Sequence, residues 1–502
     1  MAGVALHVIQ AYHHPSVSSI TLPQSRSRRP LSYNNIHHRL CMTSGKEKQG
    51  SLSSTTTINS NNTCPFSRTF PRFRIDLSND RNEKKNASMM MMKKINVFGG
   101  GLDKMRVENA YKNKPGLQES LSAMSEIPVG SSSISEFLSP IKATALFWKY
   151  VADLEQQQTQ QSDDNPQELV LALPGVRSIV ARRLIEILEW YNANNAEFSS
   201  TTTPFANGKV TATLDDGISS TLPVITLTCA RASGSSAIAS TGALKSKATA
   251  IGIQKTDEDD DDDDDDNSVA IENRTKAWVK RVLVNLGVCP FTKSTTKSGQ
   301  GLGDLGVPVA RIAYSHSTAN KTELAKLLAD AWFEIYEMLE AGPSGKGGVS
   351  SILLSAPEFD DDFALWAGPV FSMLEACVSA ANAESQVGVV CFHPMYATPD
   401  GKSWGGFGQM HSVPRLRGWL DEQDGALSSE LTDDEVAAGG AWQRRTPHAV
   451  INVLRAEQLA IAEGQRQTGS LYTENIRKLV GKVVGIGSSK LAEDLERERS
   501  ML

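Results

Sequence analysis

The sequence predicts an α/β protein. Its C-terminal part reads as a small parallel sheet covered by helices. A small α+β accessory region and a disordered N-terminal leader precede it. Three observations carry this. Strand-like and helix-like segments alternate from Val307 to Phe392. The helical segments repeat apolar residues at intervals of three and four. Charge falls into blocks that cut the chain into parts. The formal net charge is −6, but it is not a property of one surface.

Residues 1–75 carry nine basic residues against one acid, Glu47. They are rich in Ser, Thr and Asn, the composition of an organelle transit peptide. The expected partner of this leader is the organelle import machinery. Serine and threonine richness favours the plastid, with the mitochondrion as the alternative. Met1 to Gln10 lacks the basic start of a secretory signal. Residues 76–133 read as disordered, with the low-complexity run Met89 to Met92 and a turn at Gly99 to Gly101.

The accessory region is expected over residues 134–255. Phe137, Ile141, Leu146, Tyr150 and Leu154 have roughly helical spacing. A second helix from Val176 to Asn195 repeats Ile179, Val180, Leu184, Ile187, Leu188 and Tyr191 on one face. Asn192 to Thr203 reads as a polar loop. Lys209–Leu214, Pro223–Thr228 and Ala248–Ile253 read as short strands. Ten consecutive acids, Asp257 to Asp266, repel one another and define a disordered linker over residues 256–270.

The α/β domain is expected over residues 271–484, with a charged tail at 485–502. Its helices are predicted at Glu272–Leu286, Asn320–Leu339, Asp361–Ala381, Val413–Asp421 and Thr473–Val484, with a tail helix at Ser488–Arg499. Asn320 and Glu323 supply a capping-box-like start. Strands are predicted at Val307–Ser315, Ser350–Ser355 and Val387–Phe392. Pro399 to Trp442 is a long insertion. Thr446-Pro447 predicts a further helix start, since Thr caps and Pro suits a first turn.

Several classes find no support. No apolar run reaches the ~18 residues of a spanning helix, so no membrane span is expected. Six cysteines without a CxxC pair argue against a zinc ribbon or a disulfide framework. No basic stripe with interleaved aromatics points to nucleic acid. Gly301, Gly303 and Gly306 match a GxGxxG pattern, but it follows a helix and precedes a strand. A dinucleotide fingerprint needs the reverse, so no cofactor is assigned.

Three stretches recur together: Asn285-Leu286-Gly287-Val288-Cys289-Pro290-Phe291, Phe392-His393-Pro394-Met395-Tyr396, and Arg445-Thr446-Pro447-His448 continuing to Leu454-Arg455-Ala456-Glu457. With Glu474-Asn475-Ile476 they resemble the domain of unknown function 1415 (DUF1415) family over roughly residues 272–480. That resemblance implies no established reaction. The family often has Asp where Met395 stands and His where Asn452 stands, and its second connection is shorter.

Candidate site residues follow. His393 ends a strand, and the carboxyl edge of a parallel sheet is where ligands bind. His316, Glu358 and Asp360 follow other strands toward the same edge. No helical His/carboxylate spacing supports a metal. If a helix runs on from Pro447, Val450, Val453, Leu454 and Ile461 share an apolar face at about 100° per residue. Glu457 sits within that face, with His448, Asn452 and Arg455 opposite. His393 and Glu457 are therefore the candidate catalytic acid/base pair. Arg445, Arg455, His448 and Cys289 are candidate ligand contacts, the arginines for an anionic small molecule. Cys289 follows a helix end, where the dipole opposes a thiolate. The competing reading is a non-catalytic binding or assembly module, with the same residues as a structural polar network.

Overall fold

The computed structural model describes residues 97–125, 134–160, 167–198, 208–215, 217, 222–231, 262–289, 292–300, 309–342, 348–400, 411–456 and 468–501. The basic leader, the Ala248–Ile253 strand, the Gly301–Gly306 loop and Glu457 lie outside the described residues.

Helices α1 (Val97–Ala110) and α2 (Leu117–Ser125) occupy part of the stretch expected to be disordered. Few apolar residues hold them, but those few are well placed. Val107, Leu117 and Leu121 are buried against Val170, Ala172, Leu222 and Val224. Helix α3 (Ile134–Gln160) precedes strand β1 (Gln167–Ala172), and α4 (Ser178–Phe198) precedes β2 (Gly208–Asp215) and β3 (Val224–Arg231). The three strands form an antiparallel sheet ordered β1-β3-β2. Helix α4 covers Asn192 to Phe198 of the segment expected to be a loop, and residues 199–203 lie outside the described residues. Asn192 stays helical while its side-chain amide donates to the Val210 carbonyl at 2.7 Å, tying the helix to β2.

Helix α5 (Asp262–Trp278) begins inside the acidic run, ten residues before the expected Glu272. Acids at a helix N-terminus face the positive end of its dipole, which favours helix where the same charges elsewhere only repel. The helix continues as a π-helical turn, Val279–Asn285. It closes at Gly287, whose φ of +61° is the left-handed conformation a helix end favours.

The second sheet contains β4 (Lys297–Ser298), β5 (Ala310–His316), β6 (Val349–Ser355), β7 (Val387–Phe392) and β8 (Val450–Arg455), in the order β4-β5-β6-β8-β7. Between β5 and β6 runs α6 (Leu324–Ala341). The expected Asn320 cap is not the helix start: Glu323 is the N-cap without a side-chain cap bond, and the Asn320 N–H donates to Glu323 Oε2 in the turn before it. Between β6 and β7 the chain turns through Phe363–Leu365 and a π-helical segment, Trp366–Val370, into α7 (Phe371–Ala380). Pro369 lacks an N–H and displaces the regular ladder there. Phe363–Ala380 is the one stretch among the described residues long and apolar enough to cross a membrane, yet Trp366, Phe371, Leu374 and Cys377 are buried in the core. The 399–442 insertion contributes α8 (Val413–Gln423), α9 (Gly425–Glu430) and α10 (Asp433–Trp442). Helices α11 (Thr468–Val480) and α12 (Ser488–Arg499) follow β8.

The helix expected from Pro447 is strand β8 instead. It pairs antiparallel with both β6 and β7 and is buried at every position. A strand covered on both faces loses the alternation that would mark it. The sheet is therefore mixed: β5 and β6 are parallel, and β8 enters against them.

One apolar cluster joins α3, α4 and one face of the first sheet to α6, α7 and one face of the second. Trp148 on α3 donates its indole N–H toward Cys377 on α7 at 3.2 Å within it. The opposite face of the second sheet, with Leu353, Val390, Phe392, Val450 and Leu454, packs against α5, its π-helical turn and the insertion helices. The tail helix α12 belongs to this layer. Leu491 and Leu495 are buried, and Glu498 accepts both Nε and Nη2 of Arg281.

Candidate functional site

Strand directions place the C-terminal ends of β5, β6 and β7, and the start of β8, on one edge of the second sheet. Backbone bonds lace that edge. Ser317 N–H donates to Ser355, Ala356 N–H to Ala449, and His393 N–H to Arg444. The connections leaving these strands carry the candidate polar residues.

His393 follows β7 and is fully buried. Its Nε2 lies 2.9 Å from the Phe359 carbonyl, and its Nδ1 lies 3.0 Å from the Met395 N–H. A carbonyl only accepts and an amide N–H only donates, so the ring is neutral with its proton on Nε2. Burial holds its pKa below the usual histidine range, against the opposing pull of the Phe359 carbonyl and of Asp360. Phe363 and Trp366 flank the ring. Both nitrogens are thus engaged by backbone.

His448 precedes β8, and its side chain is 6% exposed. Its Nδ1 lies 2.8 Å from Asp360 Oδ2, and Asp360 Oδ1 accepts the Ala449 N–H at 2.6 Å. The carboxylate accepts the Nδ1 proton, so in the neutral ring the lone pair is on Nε2. Nε2 is buried without a hydrogen-bond partner among the described residues. Asp360 also lines a cleft of about 400 Å³ with Asn320, Lys321, Thr322, Pro357, Glu358 and Asp361. Lys321 pairs with Asp361 there, and that hydrogen bond holds the Asp361 carboxyl below its usual pKa. Of His316, Glu358, Asp360 and His393, expected at one edge, Glu358 and Asp360 line this cleft, and Asp360 meets His448, which was expected on a helix face instead. His316 instead contacts Ser268 through Nδ1 at 3.3 Å. Among the described residues no three His, Cys, Asp or Glu side chains gather as a metal site requires.

The two candidate anion-binding arginines are occupied differently. Arg455 ends β8, is buried, and donates from Nε to the Val349 carbonyl at 2.6 Å and from Nη2 to the Met338 carbonyl. It ties β8 to β6 and to the last turn of α6, where a cation complements the helix dipole. Arg445 is half-buried. It donates from Nε to the Tyr396 carbonyl at 3.0 Å and stacks 4.5 Å from the Trp442 ring centroid. Cys289 is buried just after the helix end, and the Thr292 hydroxyl donates toward its sulfur at 3.4 Å.

Sequence reasoning missed Arg444, which is 1% exposed. It donates from Nη1 to the Tyr396 hydroxyl at 2.7 Å and from Nη2 to His411 Nδ1 at 2.8 Å. Its signal was its place immediately before the third motif, beside Arg445.

Together these features define a mixed-sheet α/β protein with a polar site on one sheet edge. Residues 270–405 match the family described as Protein of unknown function (DUF1415). That span runs from α5 to beyond β7 and contains Cys289, Asp360 and His393. Arg444, Arg445, His448 and Arg455 lie past it. No curated protein matches the chain, and no solved structure does.

Proposed function

We propose that this protein is an enzyme acting on a small molecule at the sheet edge, with His448 as its acid/base group. One observation carries the reading: Asp360 fixes His448 through Nδ1, and Nε2 is buried with no partner among the described residues. A carboxylate-oriented imidazole with one free lone pair is the arrangement a general base needs. His393 lacks that freedom, so the catalytic role moves from His393 to His448, and His393 becomes a structural residue. Arg455, spent on two carbonyls, is likewise structural in this reading.

The test is turnover of metabolite mixtures by the full-length protein, followed by mass spectrometry. Conversion of a component by wild type, lost in His448→Gln with an unchanged circular dichroism spectrum, supports the enzyme. Equal conversion by the variant, or none by wild type across the mixtures, overturns it.

The second reading is a binding or assembly module. The double backbone engagement of His393 and Arg455 favours it, since both build a closed polar network rather than face a cleft. It predicts that His448→Gln changes stability alone.

The basic leader directs the protein to the plastid in our reading, with the mitochondrion as the alternative. A fluorescent fusion of residues 1–75 tests this, and cytosolic retention of the reporter would rule out both.

A further inference from the structure

Among the described residues Arg444 is the most deeply buried cation of the C-terminal layer, and no carboxylate there pairs with it. Its hydrogen-bond partners, Tyr396 and His411, are both neutral acceptors. Around it stands an aromatic wall. The His411 and Tyr472 rings lie 4.9 Å apart, Tyr472 and Trp419 5.3 Å apart, and Tyr396 contacts Phe363 at 5.3 Å. A buried charge facing only neutral groups carries a large desolvation cost unless a counter-charge meets it.

A second polar group points the same way. Tyr472 is 2% exposed, and its hydroxyl lies within hydrogen-bonding reach of Arg444. It makes no well-aligned hydrogen bond to any described residue. A phenol O–H beside a guanidinium gives two kinds of donor for one acceptor.

We infer that Arg444 and Tyr472 form a binding site for a small monocarboxylate, between the sheet edge and the 399–442 insertion. The guanidinium fork suits a planar carboxylate. One uncompensated positive charge is neutralised by a monoanion, whereas a phosphate dianion would leave a buried negative charge. The rings of Trp419, Tyr472 and Tyr396 give the ligand's carbon skeleton an apolar surface. This site does not depend on the catalytic role of His448.

The experiment is calorimetric titration of the full-length protein with acetate, benzoate and inorganic phosphate, at ionic strength held constant with chloride. Benzoate binds wild type saturably, one per chain, and more tightly than phosphate does. Arg444→Met weakens benzoate by about tenfold to a hundredfold, the loss of a hydrogen-bonded charged partner. Tyr472→Phe weakens it by a smaller factor. His448→Gln leaves it unchanged, which separates this site from the acid/base reading. Absence of saturable carboxylate binding to wild type overturns the proposal. So does equal binding by Arg444→Met, or tighter Arg444-dependent binding of phosphate. If Arg444→Met does not fold, Tyr472→Phe and Arg444→Lys decide: wild-type affinity in both refutes the site.

Discussion

The guanidinium of Arg455, the last residue of β8, donates to the backbone carbonyl of Met338 in the last turn of α6. A second bond to Val349 at 2.6 Å places the same side chain across the start of β6. One cation thereby joins β8, its neighbour β6 and the helix that leads into β6. Lysine cannot reach both carbonyls with this fixed fork. Arg455→Lys is expected to cost about 1–3 kcal/mol and Arg455→Ala about 3–5 kcal/mol, measured by urea denaturation. Calorimetry should show carboxylate binding untouched in the folded Lys variant.

His393→Ala removes the ring that satisfies the Phe359 carbonyl and the Met395 N–H, and leaves a cavity. A loss of about 2–5 kcal/mol is expected. The wild-type ring adds a pH dependence. Its folded pKa is depressed by burial, so the unfolded chain binds the proton more readily. This contribution is present above the ordinary histidine pKa of about 6.5 and is lost as pH falls toward the folded value. Denaturation midpoints between pH 7 and pH 5 should fall more steeply in wild type than in a folded His393→Asn variant. Parallel pH profiles would contradict the neutral-ring assignment.

Glu155 on α3 titrates in the opposite sense. Burial pushes its carboxyl up to about 8, while the Tyr191 hydroxyl donates to it at 3.1 Å. The folded protein holds a proton that the unfolded chain releases above about 4.3. Stability is therefore lost as pH rises through that window, by up to about 1.4 kcal/mol per pH unit. Glu155→Gln keeps an acceptor for Tyr191 and removes the titration. Thermal melts from pH 6 to pH 9 should show the variant flatter than wild type and more stable at the alkaline end.

Gly440 on α10 has space for hydrogen alone. An added Cβ would lie 2.6 Å from Leu416 Cδ1 and 2.6 Å from Thr398 Oγ1. Thr398 is fixed by its bond to the Ala437 carbonyl, also 2.6 Å. Gly440→Ala is expected to lose about 1–3 kcal/mol through overpacking, despite alanine's better helix propensity. A gain in melting temperature would show that α8 and α10 separate freely.

The amphipathic helices were legible because one face of each meets water. In α6, Leu324, Leu327, Leu328, Ala331, Ile335 and Met338 mark the buried stripe and are all buried. β5, β6 and β7 stood out as β-branched or apolar runs between helices. β8 did not. Val450-Ile451-Asn452-Val453-Leu454 is buried on both faces, so the period of two is missing. Thr446-Pro447 supplied a false helix start. That one misreading moved His448, Asn452 and Arg455 onto a common helical face. In the strand, Asn452 turns toward Leu353 and Val390, and Arg455 caps α6. Asp360 and His448 are 88 positions apart, and only the sheet brings them together. Helices α1 and α2 escaped notice because so few apolar residues hold them. The acidic start of α5 read as pure repulsion because the helix dipole is invisible until the helix is placed.

The position of β8 has a consequence for biosynthesis. It is the partner of both β6 and β7, yet among the described residues it is the last of the sheet strands to leave the ribosome. Until residue 455 has emerged, β6 exposes one unpaired edge and β7 lacks its neighbour. Such apolar edges are templates for association with other chains. The nascent protein must therefore remain uncommitted through about 100 residues of further synthesis. Chaperone engagement during translation should end abruptly once this strand slots between the two that wait for it.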